Sequence, residues 1–204
     1  LLGVRRLDLV GLDISASAIK LLELSGGDGG YVVESYGVEP LPENTVVEQN
    51  IVDVAAVAEA IKRLQASTQF KSKAAAVAVA GSAVITKTIE VPASLKENQI
   101  EEQLLMDADQ YIPYPLDEVA LDFQVLEATA RSEDMVDVLI AACRQEHIES
   151  RQAALELSGL NPEVIDIEAH CVQRAIALDL ELFTRDPALG VPDVLAILDI
   201  GADM

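Results

Sequence analysis

Asp13 and Lys20 flank a turn of small residues in the run Val10-Gly11-Leu12-Asp13-Ile14-Ser15-Ala16-Ser17-Ala18-Ile19-Lys20. An apolar strand that ends on a carboxylate and turns through Ser15, Ala16 and Ser17 offers backbone N–H groups and hydroxyls to an anion, and a lysine on the returning strand reaches back over the turn. The chemistry predicted is a phosphate cradle. Near the other end, Leu195-Ala196-Ile197-Leu198-Asp199-Ile200-Gly201-Ala202 repeats the pattern. Here an apolar strand delivers Asp199, and Gly201, which lacks a Cβ, lets the backbone approach a ligand closely. Two strand-end aspartates far apart in sequence predict two hairpins facing one nucleotide, with its metal between them. The competing reading makes Asp13 and Asp199 ordinary strand-end residues that cap turns.

The elements that position these residues must come from a chain of 204 residues, half of it apolar, enough for one large domain or two smaller ones. Its 35 acidic and 14 basic residues give a net charge of -21. That balance argues against nucleic acid and against electrostatic docking on an anionic membrane; it suits solubility or a basic partner segment. The two cysteines, Cys143 and Cys171, lack metal-ligand spacing and read as small core residues of a protein in a reducing compartment. His147 and His170 fall in expected helices without a second ligand nearby, which predicts packed or surface roles and no zinc or nucleophile chemistry. The longest weakly polar run, Ala74 to Ile85, is well short of the roughly 20 residues of a membrane helix, and no cleavable signal opens the chain. A soluble protein is expected.

Strands are predicted over Leu9–Ile14, Ala18–Leu24 and Tyr31–Val38, with Gly26-Gly27-Asp28-Gly29-Gly30 closing the second hairpin. After the loop Leu41-Pro42-Glu43-Asn44, Val54, Val57, Ala58, Ile61 and Leu64 recur at helical spacing. β-branched runs Ala75–Ala80 and Ala83–Val91 bracket Gly81-Ser82, and Pro92 stops them. Ser94 followed by Glu97 predicts a capping box for a helix with Ile100, Leu104, Ala108 and Ile112 on one face, ended by Pro113 and Pro115. Val119–Leu126 and Val136–Cys143 read as a hairpin joined by the polar loop Arg131 to Asp134. Glu146–Leu157 reads as a helix stopped by Gly159 and Asn161-Pro162, followed by a short strand Val164–Ile167 and a helix carrying Ala169, Val172, Ile176 and Leu180. The loop Thr184 to Asp193 is the expected linker to a new lobe. The class predicted is α/β, with a strand-helix-strand-strand unit inserted over 82–143 between parts of a first lobe at 1–81 and 144–193, and 194–204 opening a second.

Three spaced elements, Gly11-x-Asp13 with Lys20, Val164-Ile165-Asp166-Ile167-Glu168-Ala169 entering a helix, and Asp199-Ile200-Gly201-Ala202, resemble the first phosphate, first connecting and second phosphate motifs of the actin-like (ribonuclease-H-like) ATPase superfamily. Four stretches carry a narrower resemblance, to the PilM family of type IV pilus assembly. They are Gly11 to Ser17 continuing into Lys20 to Leu24, Val79 to Lys87, Ala108 to Glu118, and Val138 to Arg144. FtsA-like division proteins and GspL-like type II secretion components share the architecture; the Tyr111-Ile112-Pro113-Tyr114-Pro115 run favours the pilus family. The chain reaches Met204 just after the second phosphate motif, whereas the resembled family continues through a second lobe that supplies the adenosine pocket, so a truncated second lobe is expected.

The resemblance implies ATP and Mg²⁺ as cofactors. Asp13 and Asp199 would hold the metal largely through its waters, since magnesium dehydrates reluctantly. Lys20, Ser15, Ala16 and Ser17 would offset phosphate charge, with Gly11, Gly201 and Ala202 beside them. Glu168 matches the water-orienting position, although an acidic residue also suits a first helical turn for its own sake. The same resemblance implies a cytoplasmic protein brought to the bacterial inner membrane by other pilus assembly proteins, chiefly by binding the cytoplasmic N-terminal tail of PilN. Tyr111, Ile112, Tyr114 and Pro115 belong to the expected peptide neighbourhood, or else fold the helix end onto the core. An adapter, a working ATPase and a phosphotransferase of the same superfold stay open at this point.

Overall fold

Period-two alternation of apolar residues builds the first strands of the computed structural model, in which residues 9–27, 30–126, 134–183 and 196–198 are described. In chain order the elements are β1 (Leu9–Ile14), β2 (Ala18–Gly27), β3 (Gly30–Pro40), β4 (Val46–Val47), β5 (Asn50–Ile51), α1 (Val54–Thr68), β6 (Ala74–Val79) and β7 (Val84–Pro92). There follow α2 (Glu97–Asp107), β8 (Val119–Val125), β9 (Met135–Arg144), α3 (Gln145–Ser158), β10 (Asn161–Ile167) and α4 (Glu168–Phe183). The fold is α/β, as the sequence predicts. Among the described residues, those up to Ala78 and from Ser150 form one compact unit, and Val79–Glu149 form a second.

In the first unit the strand order is β10-β6-β1-β2-β3, with β1–β2 and β2–β3 antiparallel and β1–β6 parallel. Val10, Leu12, Ile19 and Leu21 face inward and meet Val57, Ile61 and Leu64 of α1 together with Ala154 and Leu155 of α3. Each of the buried valine, leucine and isoleucine side chains among them stabilises the fold by about 1.5–3 kcal/mol. Asp53 caps α1 by accepting the Ala56 N–H at 2.9 Å. The helix lies close on β3 because Gly37 has no side chain: a Cβ there would stand 2.6 Å from Thr68 Cγ2 and 2.9 Å from Leu64 Cδ2. Glu23, buried on the inner face, accepts the backbone N–H groups of Lys71 and Ser72 and so ties the loop after α1 to β2.

The second unit is an antiparallel sheet of order β7-β9-β8, paired from Val84 with Cys143 to Pro92 with Met135, and from Val119 with Arg144 to Val125 with Val138. Ile100 and Leu104 of α2 bury against Val91, Val138 and Ile140. A smaller cluster joins Ala108, Ile112 and Ala142.

Several local expectations are corrected. Ser94 does not cap α2: a turn in which the Leu95 N–H donates to the Pro92 carbonyl delays the helix, Lys96 is the capping position, and Gln99 Oε1 accepts the Lys96 N–H at 2.9 Å. The helix also ends sooner, at Asp107, and a 3₁₀ turn over Ala108–Gln110 carries the chain to Tyr111. Asn161-Pro162 is no stop but the start of β10, where the Asn161 N–H donates to the Lys73 carbonyl at 2.7 Å; the break is made by Gly159, whose φ is +83°. The β4–β5 hairpin went unpredicted because its turn residues, Glu48 and Gln49, carry no glycine or asparagine yet hold φ values of 49° and 66°. Of the expected strand near the end of the chain only Ala196–Leu198 are described, without strand pairing, and its other residues lie outside the described residues. The turn residues Asp28-Gly29, the loop residue Arg131 and the linker Thr184–Asp193 lie outside the described residues.

Candidate functional site

The antiparallel register of β1 and β2 sets Asp13 directly opposite Lys20. Their flanking partners, Leu12 with Leu21 and Ile14 with Ile19, belong to the inward face, so alternation turns Asp13 and Lys20 to the open face. There Lys20 Nζ donates to Asp13 Oδ2 at 2.9 Å, with side chains 61% and 51% exposed. The carboxylate accepts and the ammonium donates, and both remain within reach of solvent.

The turn between them uses part of what the sequence assigned to the cradle. Ser15 donates its N–H and its hydroxyl to the Ala18 carbonyl, at 3.0 and 2.8 Å, and its Oγ accepts the Ala18 N–H at 3.3 Å. In the structure, therefore, the N–H and hydroxyl of Ser15 shape the hairpin. Ser17 is exposed, and its carbonyl accepts the Leu41 N–H at 2.9 Å, which ties the tip to the chain leaving β3. Ala16 and Ser17 are what the tip turns outward. A Cβ on Gly11 would meet the Leu22 carbonyl oxygen at 3.6 Å, ordinary contact, so packing does not demand glycine there. Its effect is to leave the open face bare beside Asp13.

Glu168 is the first residue of α4, exposed, directly after β10. The neighbouring Asp166 accepts the Ile167 N–H and pairs with Arg174, whose guanidinium also stands 3.7 Å from Cys171 Sγ. Burial, and then the negative charge of Asp166, push the Cys171 thiol above its usual range. Asp199, Gly201 and Ala202 lie outside the described residues.

The residues expected to meet a peptide all fall in the second unit. Ile112 is only 4% exposed and fills the cluster with Ala108 and Ala142, so it serves the core. Tyr111 packs on both clusters while Lys87 Nζ sits 4.7 Å from its ring centre. Tyr114 and Pro115 are exposed, and the Arg144 guanidinium lies 5.0 Å from the Tyr114 ring centre. The structure thus gathers Gly11, Asp13, Ala16, Ser17 and Lys20 on one hairpin of the first unit, and the tyrosines belong to the second unit.

Sequence reasoning gave no site role to Lys87, Arg144 or Arg151. The first two had no readable signal, because the rings they cover come from a distant loop. Arg151 had one: it lies in the stripe His147, Arg151, Ala154, Leu155 and Ser158 of α3, all buried, where a charge at an apolar helical position asks for an explanation.

Comparison with known proteins adds the following. A family described as type IV pilus assembly protein PilM matches residues 11–204. A chain of the solved PilM-PilN type IV pilus biogenesis complex is 32% identical, with a TM-score of 0.76 over 86% of this chain and 52% of that one. This chain therefore spans about half the length of that relative. The cytoplasmic domain of EpsL, an inner-membrane component of the type II secretion system of Vibrio cholerae, is 15% identical, with a TM-score of 0.48 over 78% of this chain and 56% of that one. Matched by the family over residues 11–204 and 32% identical to a chain of the solved complex over 86% of its length, the chain belongs to the type IV pilus assembly protein PilM family.

Proposed function

We propose that the protein is an actin-like, nucleotide-binding adapter of the type IV pilus inner-membrane assembly complex, and that it holds the cytoplasmic N-terminal tail of PilN. The observation that carries the nucleotide reading is the pairing of Asp13 and Lys20 across the exposed end of the first hairpin. The residues fit a magnesium-bound triphosphate. An acceptor-only carboxylate suits the water shell of the metal, a donor-only ammonium suits phosphate oxygens, and an exposed ion pair worth about 0–1 kcal/mol opens at little cost. Lys20 would neutralise phosphate charge, Asp13 would orient metal-bound water, and Ala16 with Ser17 would supply donors at the tip. Asp199, Gly201 and Ala202 are assigned to the opposite wall on motif resemblance. Bound nucleotide would supply a polyanion around which two lobes can close.

Support for the partner comes from the similarity to a chain of the PilM-PilN complex. Tyr114 and Pro115 would contact an extended tail, with Tyr111 and Ile112 as the packed support beneath them; such a tail combines main-chain hydrogen bonds with apolar pockets. Among the described residues no helix is long and apolar enough to cross a membrane, which is consistent with attachment through PilN.

Asp13→Ala in the full-length protein is expected to abolish Mg-ATP binding while the thermal midpoint stays put, as titration calorimetry and a melting curve would read. Retained affinity would overturn the assignment. A second reading, a working ATPase, rests on Glu168 exposed at the start of α4, where it could orient a water. Single-turnover hydrolysis with and without the PilN tail peptide separates the two: a rate no faster than buffer leaves the adapter, and a rate abolished by Glu168→Gln establishes the catalyst.

A further inference from the structure

Arg151 is 3% exposed, a cost that a guanidinium bears only when its donors are well used. Its Nε donates to the Ala78 carbonyl at 2.8 Å and its Nη2 to the Gln49 carbonyl at 3.2 Å. These two acceptors are backbone carbonyls in separate parts of the chain. Ala78 is the last residue before the chain crosses into the unit Val79–Glu149, and Ser150 is the first after it returns. One side chain therefore binds the last residue before the outgoing crossing from the second residue after the returning one.

The same bond touches the strand beside the phosphate edge. In the parallel pairing of β1 with β6, Val77 partners Leu12, so Ala78 stands one step further on, level with Asp13. The third strut is the β4–β5 turn, in which Glu48 and Gln49 both hold left-handed φ values that are strained without glycine. A charged donor on the Gln49 carbonyl offsets part of that strain. Lysine could not do the same, because its ammonium is one compact centre, whereas Nε and Nη2 of a planar guanidinium diverge toward two acceptors.

We infer that Arg151 is a positioning residue of the phosphate edge: through Ala78 it fixes the strand that flanks Asp13 and fastens to it the root of the inserted unit. This rests on the nucleotide reading given above.

The test uses the full-length protein with Arg151→Gln, Arg151→Lys and a control, Leu155→Val, which trims the same buried helix face without touching either carbonyl. Arg151→Gln is expected to weaken Mg-ATP binding about tenfold, with Arg151→Lys in between and the control within about twofold of wild type. Hydrogen exchange without nucleotide should quicken at residues 76–80 and 47–51 in Arg151→Gln while β8 and β9 keep their protection. Equal weakening in the control, or an affinity in Arg151→Gln equal to wild type, would overturn the positioning role while leaving the nucleotide site intact. A wild-type protein blind to Mg-ATP overturns the nucleotide reading and this role together, and unchanged exchange at 76–80 overturns the fastening itself.

Discussion

Asp13 and Lys20 contribute little to folding, because an exposed ion pair at 2.9 Å is screened by solvent and holds two mobile side chains in one geometry. That is why their substitution can be read as function. Cys171 offers the opposite case, a partly buried group whose chemistry reports its surroundings. Burial, then Asp166, keep its thiol protonated to higher pH than usual, and the thiolate is the nucleophile. Iodoacetamide at about pH 8 should therefore label Cys171 more slowly than a cysteine in a short peptide, and Asp166→Asn should quicken labelling by freeing the Arg174 charge to act on the sulfur. Peptide mass mapping separates it from buried Cys143; an unchanged rate in Asp166→Asn would show that the carboxylate has no hold on the thiol. At this scale the sequence reads well where spacing alone decides: a tight turn between two alternating strands forces Asp13 and Lys20 into register. It reads poorly where distant atoms decide. Ile112 is core because Ala108 and Ala142 close around it, and Arg151 finds carbonyls contributed by residues 49 and 78.

At the level of elements, α1 and β3 depend on a missing side chain. Thr68, beside Gly37, is held in one rotamer by its hydroxyl donating to the Leu64 carbonyl at 2.6 Å, and Leu64 is 1% exposed, so neither can retreat. Gly37→Ala should destabilise the first unit by about 1–3 kcal/mol, read as a lowered denaturant midpoint, and adding Thr68→Ser, which removes the clashing methyl, should restore part of the loss. A neutral Gly37→Ala would mean that the helix can ride outward at no cost. The long helices and alternating strands were legible because apolar period and length agree. What stayed hidden were features whose local chemistry is atypical: a two-residue turn made of Glu48 and Gln49, a helix capped from Lys96 rather than Ser94, and a strand that begins on Asn161-Pro162. In each, tertiary contacts override a preference that the local residues express.

For the molecule as a whole, the division into two units carries its own prediction. Val79–Glu149 contains a complete three-stranded sheet and its own buried cluster of Val91, Ile100, Leu104, Val138 and Ile140, so the segment expressed alone should give a dispersed amide spectrum with a cooperative melt. A collapsed spectrum would show that it borrows stability from the rest of the chain. The remaining sheet has a different character at its border. Strand β3 is the outermost, no strand pairs along its far side among the described residues, and Tyr31, Val33, Tyr36 and Val38 on it are all exposed. With a net charge of -21, neighbouring copies repel one another before such borders can touch. Acidification below about pH 4.5 removes that colloidal guard by protonating carboxylates, and it leaves a bare, greasy ribbon as a template, so precipitates formed there should bind thioflavin as ordered aggregates rather than settle as amorphous dust.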